Sequence, residues 1–141
     1  MNDFLSFFFY GITEDEKENE KMNIVTKAIK HFMLVSRHRW LVFKFSLKAG
    51  IPFRGLIHDL SKFSPTEFFE SVKYYNGKRS PLRVCRESKG YSEAWMHHKG
   101  RNKHHFEYWE DMSENKRFGV FLPYKYIVEA VCDKIAARND L

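Results

Sequence analysis

Cysteine is scarce in this 141-residue chain: Cys85 and Cys132 are the only two, and they form no CxxC pair. That excludes a disulfide framework and reads as two buried free thiols in a reducing compartment. Long apolar runs are also missing. The longest, "FLSFFFYGI" from Phe4 to Ile12, is too short to span a bilayer. It has no positive n-region and is followed by acid, so it makes a poor signal peptide, and a cytoplasmic location is expected. There is no internal repeat, no low-complexity tract and no sustained strand alternation. Proline and glycine are few, at four and seven, and none falls between Asn23 and Ala49.

What is present fits an ordinary globular chain of one domain's length, 43% hydrophobic and 30% charged. Fourteen phenylalanines imply rings packed between helices. Residues 1–21 hold six acids against Lys17 and Lys21, a net −4, so the remainder carries +10 within an overall +6. A basic body implies an anionic partner, a phosphate ester, nucleotide or nucleic acid, or else a solvated basic surface.

Thr13 and Glu16 have the spacing of a capping box, within an acidic stretch that reads as a hinge or helix start. Residues 1–21 are therefore read as an accessory segment that its Phe cluster could dock, and 22–141 as one all-helical domain. Ile24, Ala28, Phe32, Val35, Val42 and Phe45 recur at helical spacing and predict one long helix from Asn23 to about Ala49. "AGIP" ends it, with Gly50 as cap and Pro52 unable to continue. A short helix is expected from Phe53 to about Phe63. Ser64, Pro65 and Glu67 start the next. "NGKRSP" is a loop. Residues 82–99 read as helical with a break at "KGYS", where Ser92 can cap "EAWMHHK". Gly100 interrupts, "HHFEYWEDM" resumes a helix, and "FLPYKYIVEAVCDKIAARN" is the last. The expected fold class is all-α, a compact bundle of about five to seven helices.

The chemistry-bearing residues are unevenly placed. "LIHDLSKF" sets His58 beside Asp59, with Lys62 one turn on. Adjacent helical side chains point about 100° apart, so imidazole and carboxylate can approach one ion, and Lys62 can meet a phosphate held there. His31 and His38 are seven apart and share a helix face, from which one or both could reach that pair. His38, in "SRHRW", could equally be an exposed basic residue. Four of the seven histidines fall in "HHKGRNKHH". His97 and His104 are seven apart, as are His98 and His105, with a turn at Gly100 and Asn102 between them. One histidine on each side could face a metal, His98 and His105 being the preferred pair. The others would serve as supporting donors or substrate contacts, with Tyr91, Trp95, Tyr108 and Trp109 as walls. A solvated surface loop is the plain alternative. Asp133 on the last helix is the late carboxylate, with Ala130 and Ala137 beside it allowing close helix approach. Glu129, one turn away, is its alternative.

In this order, His31 or His38, then His58-Asp59, then Asp133 resemble the HD-domain superfamily of metal-dependent phosphohydrolases. "HDLSK" is similar to the HD-x-x-K/E form of several of its members, bacterial 5′-nucleotidases and cyclic-dinucleotide phosphodiesterases among them. His31 precedes His58 by 27 residues and His38 by 20. The longer spacing is nearer the superfamily's habit. In its binuclear members, histidines between the HD pair and the last Asp hold a second metal, the place that His97–His105 takes here. Across roughly Asn23 to Asp140, "GLIHDLSKFSPTEF" and "AWMHHKGRNKHHFEYW" more closely resemble an uncharacterised bacterial and phage domain-of-unknown-function family. Its members are sometimes labelled catalase, and nothing in these residues supports haem chemistry.

The resemblance implies an enzyme with one or two divalent ions, Mn, Fe, Zn, Co or Ni with Mg admitted. Their ligands would come from His31, His38, His58, Asp59, His98, His105 and Asp133. A metal-activated water would attack phosphorus in line. Catalysis would rest on His58, Asp59 and Lys62. Lys62, Lys99, Arg101, Asn102 and Lys103 would contact a small phosphorylated substrate, a nucleotide or phosphate ester. The alternative is a non-catalytic basic protein that binds nucleic acid or a partner protein. No membrane partner is expected, and oligomeric state is open.

Overall fold

The computed structural model describes residues 22–113 and 116–139. It is all-α but for one small hairpin. The Thr13–Glu16 box and the accessory segment 1–21 lie outside the described residues, as does residue 140.

Helix α1, Ile24–Lys48, starts where Asn23 Oδ1 accepts the Thr26 N–H at 2.9 Å. It ends at Ala49, and Gly50 follows with φ 77°, a left-handed turn that suits glycine. Pro52 then opens α2, Pro52–Ile57. Gly55 is buried where α2 crosses α1. A Cβ there would sit 2.5 Å from Ser46 Cβ and 3.0 Å from Phe43 Cα, so only glycine allows the approach.

The sequence predicts one helix from Phe53 to Phe63, but the chain breaks at the HD pair instead. His58 caps α2, and Asp59 takes φ 50°, ψ 28°, the only described non-glycine residue with positive φ. A 3₁₀ turn, Leu60–Phe63, follows. Aspartate tolerates this region better than most residues, and such conformations gather at functional sites. Arg39 of α1 holds the break: its Nε donates to His58 O at 2.8 Å and its Nη2 to Leu56 O at 2.9 Å. It satisfies the carbonyls that the ended helix leaves open.

Helix α3, Pro65–Lys73, starts on Ser64 with Pro65 in its first turn, as the sequence predicts. Helix α4 is Pro81–Lys89, closed by Gly90 at φ 83°. Helix α5 is Glu93–Lys99, capped by Ser92 Oγ on the Trp95 N–H at 2.9 Å. Glu70 of α3 supports that cap, accepting from Ser92 Oγ and the Ala94 N–H. Burial opposes the ionisation of Glu70, but these donors and Lys89 hold its pKa at about 2. The start of α5 is thus pinned to α3.

Where "HHFEYWEDM" predicts a helix, there is a 3₁₀ turn, Phe106–Trp109, and then a hairpin of β1, Glu110–Ser113, and β2, Lys116–Gly119. The strands are antiparallel with Asp111 opposite Phe118, and every residue in them is exposed. With no buried face they carry no alternation to read. Helix α6, Tyr124–Asn139, returns along α1. Val42, Cys132 and Ala136 form the apolar core between them, flanked by Leu41, Phe45 and Val128. Ala130 and Ala136 are the buried small residues of α6, while Ala137 is exposed. Both cysteines are free and buried. No helix of the described residues is long and apolar enough to cross a membrane.

Candidate metal centre

The HD break, α5 and its following turn, and α6 converge on Asp59, which is 1% exposed. Its Oδ1 lies 3.4 Å from His98 Nε2 and 3.5 Å from His104 Nε2. Its Oδ2 lies 3.4 Å from His58 Nε2 and 2.8 Å from Lys62 Nζ. Asp133 joins from α6, with Oδ1 3.6 Å from His58 Nε2 and accepting from His38 Nε2 at 2.8 Å.

The far sides of His58, His98 and His104 face glutamates. His98 Nδ1 donates to Glu67 Oε2 at 2.7 Å, and His97 Nδ1 to Glu67 Oε1 at 2.6 Å. His58 Nδ1 donates to Glu129 Oε1 at 3.1 Å, and His104 Nδ1 lies 3.4 Å from the same oxygen. Arg54 completes Glu129, donating from Nε and Nη2 at 2.8 and 2.6 Å. An ionised carboxylate only accepts, so a neutral ring that donates through Nδ1 carries its lone pair on Nε2. Glu129 and Glu67 therefore fix the tautomers of neutral His58 and His98 and turn those lone pairs toward Asp59, the support that metal-ligating histidines receive.

Lone pairs that face a carboxylate at 3.4–3.5 Å repel unless something positive lies between them. These separations exceed a direct hydrogen bond. Two ligands each ~2.1 Å from one ion are ~3.0–3.5 Å apart at octahedral to tetrahedral angles, which fits. Among the described residues, none offers a hydrogen-bond partner to the buried His58 Nε2, Asp59 Oδ1, His104 Nδ1 and Nε2, or His105 Nε2. Ligand-type atoms come within 4.8 Å of one another in three overlapping groups: His38, His58 and Asp59; His58, His104 and Asp133; and Asp59, His98, His104 and His105. All donors are imidazole or carboxylate, which suits Zn, Mn, Fe, Co or Ni, and Asp59 has one oxygen toward each side.

The electrostatics agree. Burial works against the charge on Asp59, but Lys62, His58, His98 and His104 hold its pKa well below the usual range. Asp133 is lowered likewise, against its burial, by His38 and His58. Glu129 falls to about 2 despite burial, through His104, His58 and Arg54. Burial alone would keep His58 neutral, yet Asp59, Asp133 and Glu129 push it up to about 9, so at neutral pH its Nε2 carries a proton that a bound cation would displace. His105 goes the other way, to about 3, from burial and its histidine neighbours. The acids stay ionised and call for positive charge among them.

Of the sequence candidates, His38, His58, Asp59, His98, His105 and Asp133 are brought together, with Lys62 at the rim. His31 is not among them. It packs on Phe68 and Tyr75 with ring centroids 5.5 and 6.0 Å away. Glu129 backs the imidazoles rather than replacing Asp133. Asn102 is a clasp: Nδ2 donates to Ser61 Oγ at 2.7 Å and His98 O at 2.9 Å, folding the turn so that His104 points back at Asp59. Lys103 lies over the rings of Tyr108 and Tyr126. Lys99, Arg101 and Lys103 line neither cavity beside the cluster. Of the four aromatic walls, Trp95 meets the histidines, 6.1 Å from His98 and 5.1 Å from His105. Sequence reasoning missed His104 as an inward residue and Glu67 as a support, since both act across the packing of separate elements. The two cavities, about 370 and 250 Å³, share Asp133.

Fold and site together define an all-α protein with a buried histidine–carboxylate cluster able to hold a divalent cation. The chain belongs to a family of unknown function, DUF5662, whose model matches residues 15–141. The match begins inside the segment read as accessory. No curated protein and no solved structure matches the chain.

Proposed function

We propose that this protein is a metal-dependent phosphohydrolase of HD type, acting on a nucleotide or small phosphate ester. The observation that carries it is the convergence of the His58, His98 and His104 Nε2 atoms on Asp59 at 3.4–3.5 Å, with glutamates bonded behind His58 and His98. His38, His58 and Asp59 would hold one ion, with Asp133 Oδ1 3.6 Å from His58 Nε2 beside it, and Asp59, His98, His104 and His105 a second. Such ions supply a water of lowered pKa and neutralise phosphate oxygens.

The chain's own residues do the rest. Glu67 and Glu129 hold His98 and His58 with Nε2 toward Asp59, and Arg54 keeps Glu129 ionised in a buried place. Lys62, half-buried and bonded to Asp59, lines the larger cavity and can turn its Nζ to a phosphate oxygen there. The two cavities beside the cluster meet at Asp133.

The test is phosphate release from a panel of nucleotides and small phosphate esters by chelator-treated protein reloaded with Mn, Fe, Co or Mg. The expected result is release that requires the added ion and falls about 100-fold or more in His58→Ala. No ion-dependent release, together with DNA binding that weakens steeply with salt and needs no metal, would favour the non-catalytic binding protein.

A further inference from the structure

The larger cavity has two unlike ends. At one, His38, Lys62 and Asp133 belong to the cluster or its rim; along the other, Leu34, Val35 and Leu82 make an apolar wall. His31 lines it too, and the cluster makes no use of it. His31 is 6% exposed, and among the described residues its Nδ1 has no hydrogen-bond partner. A buried polar atom left in that state is costly unless a ligand satisfies it. We propose that this cavity is a subsite for the uncharged organic part of a phosphate monoester, nucleoside-sized, with His31 as its specificity-determining hydrogen-bonding residue. The phosphate end of this inference rests on the phosphohydrolase reading, while the subsite is drawn from the cavity itself.

Size and charge narrow the ligand. A volume of about 370 Å³ is at the low end for small-molecule pockets, room for one nucleoside-sized group and not for a nucleic acid strand. Among the described residues, Lys62 is the one Lys or Arg that lines it, against the carboxylates Glu67 and Asp133. One phosphate can be neutralised at the cluster end; a triphosphate tail would meet carboxylate and apolar wall. Burial and then the Lys62 charge lower the His31 pKa to about 4, so the ring is neutral at neutral pH. A neutral imidazole offers one donor and one acceptor, which suits a hydroxyl, amide or base edge and not a second phosphate. Phe68 and Tyr75 hold the ring in place, so little freedom is lost on binding.

The experiment is equilibrium binding to the full chain, loaded with Mn and, separately, chelated. The probes are the four common ribonucleoside 5′-monophosphates, the matching triphosphates and the free nucleosides. At least one monophosphate should bind, and its triphosphate about tenfold or more weaker. His31→Phe and Leu34→Trp should each weaken the monophosphate and its nucleoside about tenfold, the weight of one buried hydrogen bond or a blocked wall, with metal content unchanged. His31→Gln, which keeps a neutral hydrogen-bonding group, should recover most of that loss. Leu34 is 42% exposed, so its variant keeps the test informative if His31→Phe fails to fold. Binding that is equal for mono- and triphosphate, absent for all four monophosphates, or unchanged in both variants overturns the subsite. If no ester is hydrolysed but nucleoside binding depends on His31, the subsite stands and the hydrolase reading falls. If esters are hydrolysed and KM for every monophosphate is unchanged in His31→Phe and Leu34→Trp, the reverse holds.

Discussion

The protein has two interiors, and they obey different rules. Among the described residues, the apolar one, between α1 and α6, is small: Val42, Cys132 and Ala136 are its buried members. The polar one is larger. His58, Asp59, Glu67, His98, His104 and Glu129 are all 1–3% exposed, as deeply sequestered as the apolar core. Burying ionisable groups is costly unless they are paired or coordinate a cation. A domain built only for stability would place leucine there. Positions shielded as well as the apolar core are thus ionisable, and on the cation-site reading the fold's stability is tied to what binds.

If so, the two interiors respond to different perturbations. The largest effect is acid sensitivity at His31, buried beside the polar interior. The unfolded chain protonates His31 near its ordinary pKa of 6.5, whereas the folded chain resists to about 4. Its contribution is therefore complete above pH 6.5 and lost as pH falls toward 4, about 3 kcal/mol in all. Denaturant melts of wild type and His31→Gln across that window should differ by about this amount in slope-integrated stability. Next comes the metal. Manganese at about 100 times its dissociation constant should add about 2.7 kcal/mol, seen as a rise in Tm by calorimetry. The apolar half should ignore both. Val42→Ala is expected to cost about 2 kcal/mol in denaturant melts, equally in chelated and loaded protein. A larger loss in one state than in the other would couple the two interiors and blur the distinction. Smallest is Glu67→Gln, which leaves the packing and removes a ring support. Metal affinity should fall about tenfold, ~1.4 kcal/mol, by competition with a chelator.

Much of this was legible because caps and breakers are local. Asn23, Gly50, Ser64 and Ser92 stand where the helices begin and end, each acting within a few residues of its own backbone. The break at His58-Asp59 was not, since no glycine or proline marks it; Arg39, nineteen residues earlier, holds it from another helix. The hairpin was invisible because both strands are exposed throughout. In the site, residue type and order singled out His58, Asp59, His98, His105 and Asp133. The fold alone decides that His38 reaches Asp133 while His31, two turns earlier on the same face, enters the cavity. It also decides that Glu67, legible only as a helix-start residue, spans His97 and His98.

The central claim is that the polar interior is a cation site. Calorimetric titration of chelator-treated protein with Mn, wild type beside Asp59→Asn, tests it most directly. Asparagine tolerates the left-handed backbone at this position and removes only the charge that faces the three imidazoles. Wild type should bind one or two ions saturably, and the variant should lose that binding. No saturable binding by wild type, or the same isotherm for both proteins, would contradict it.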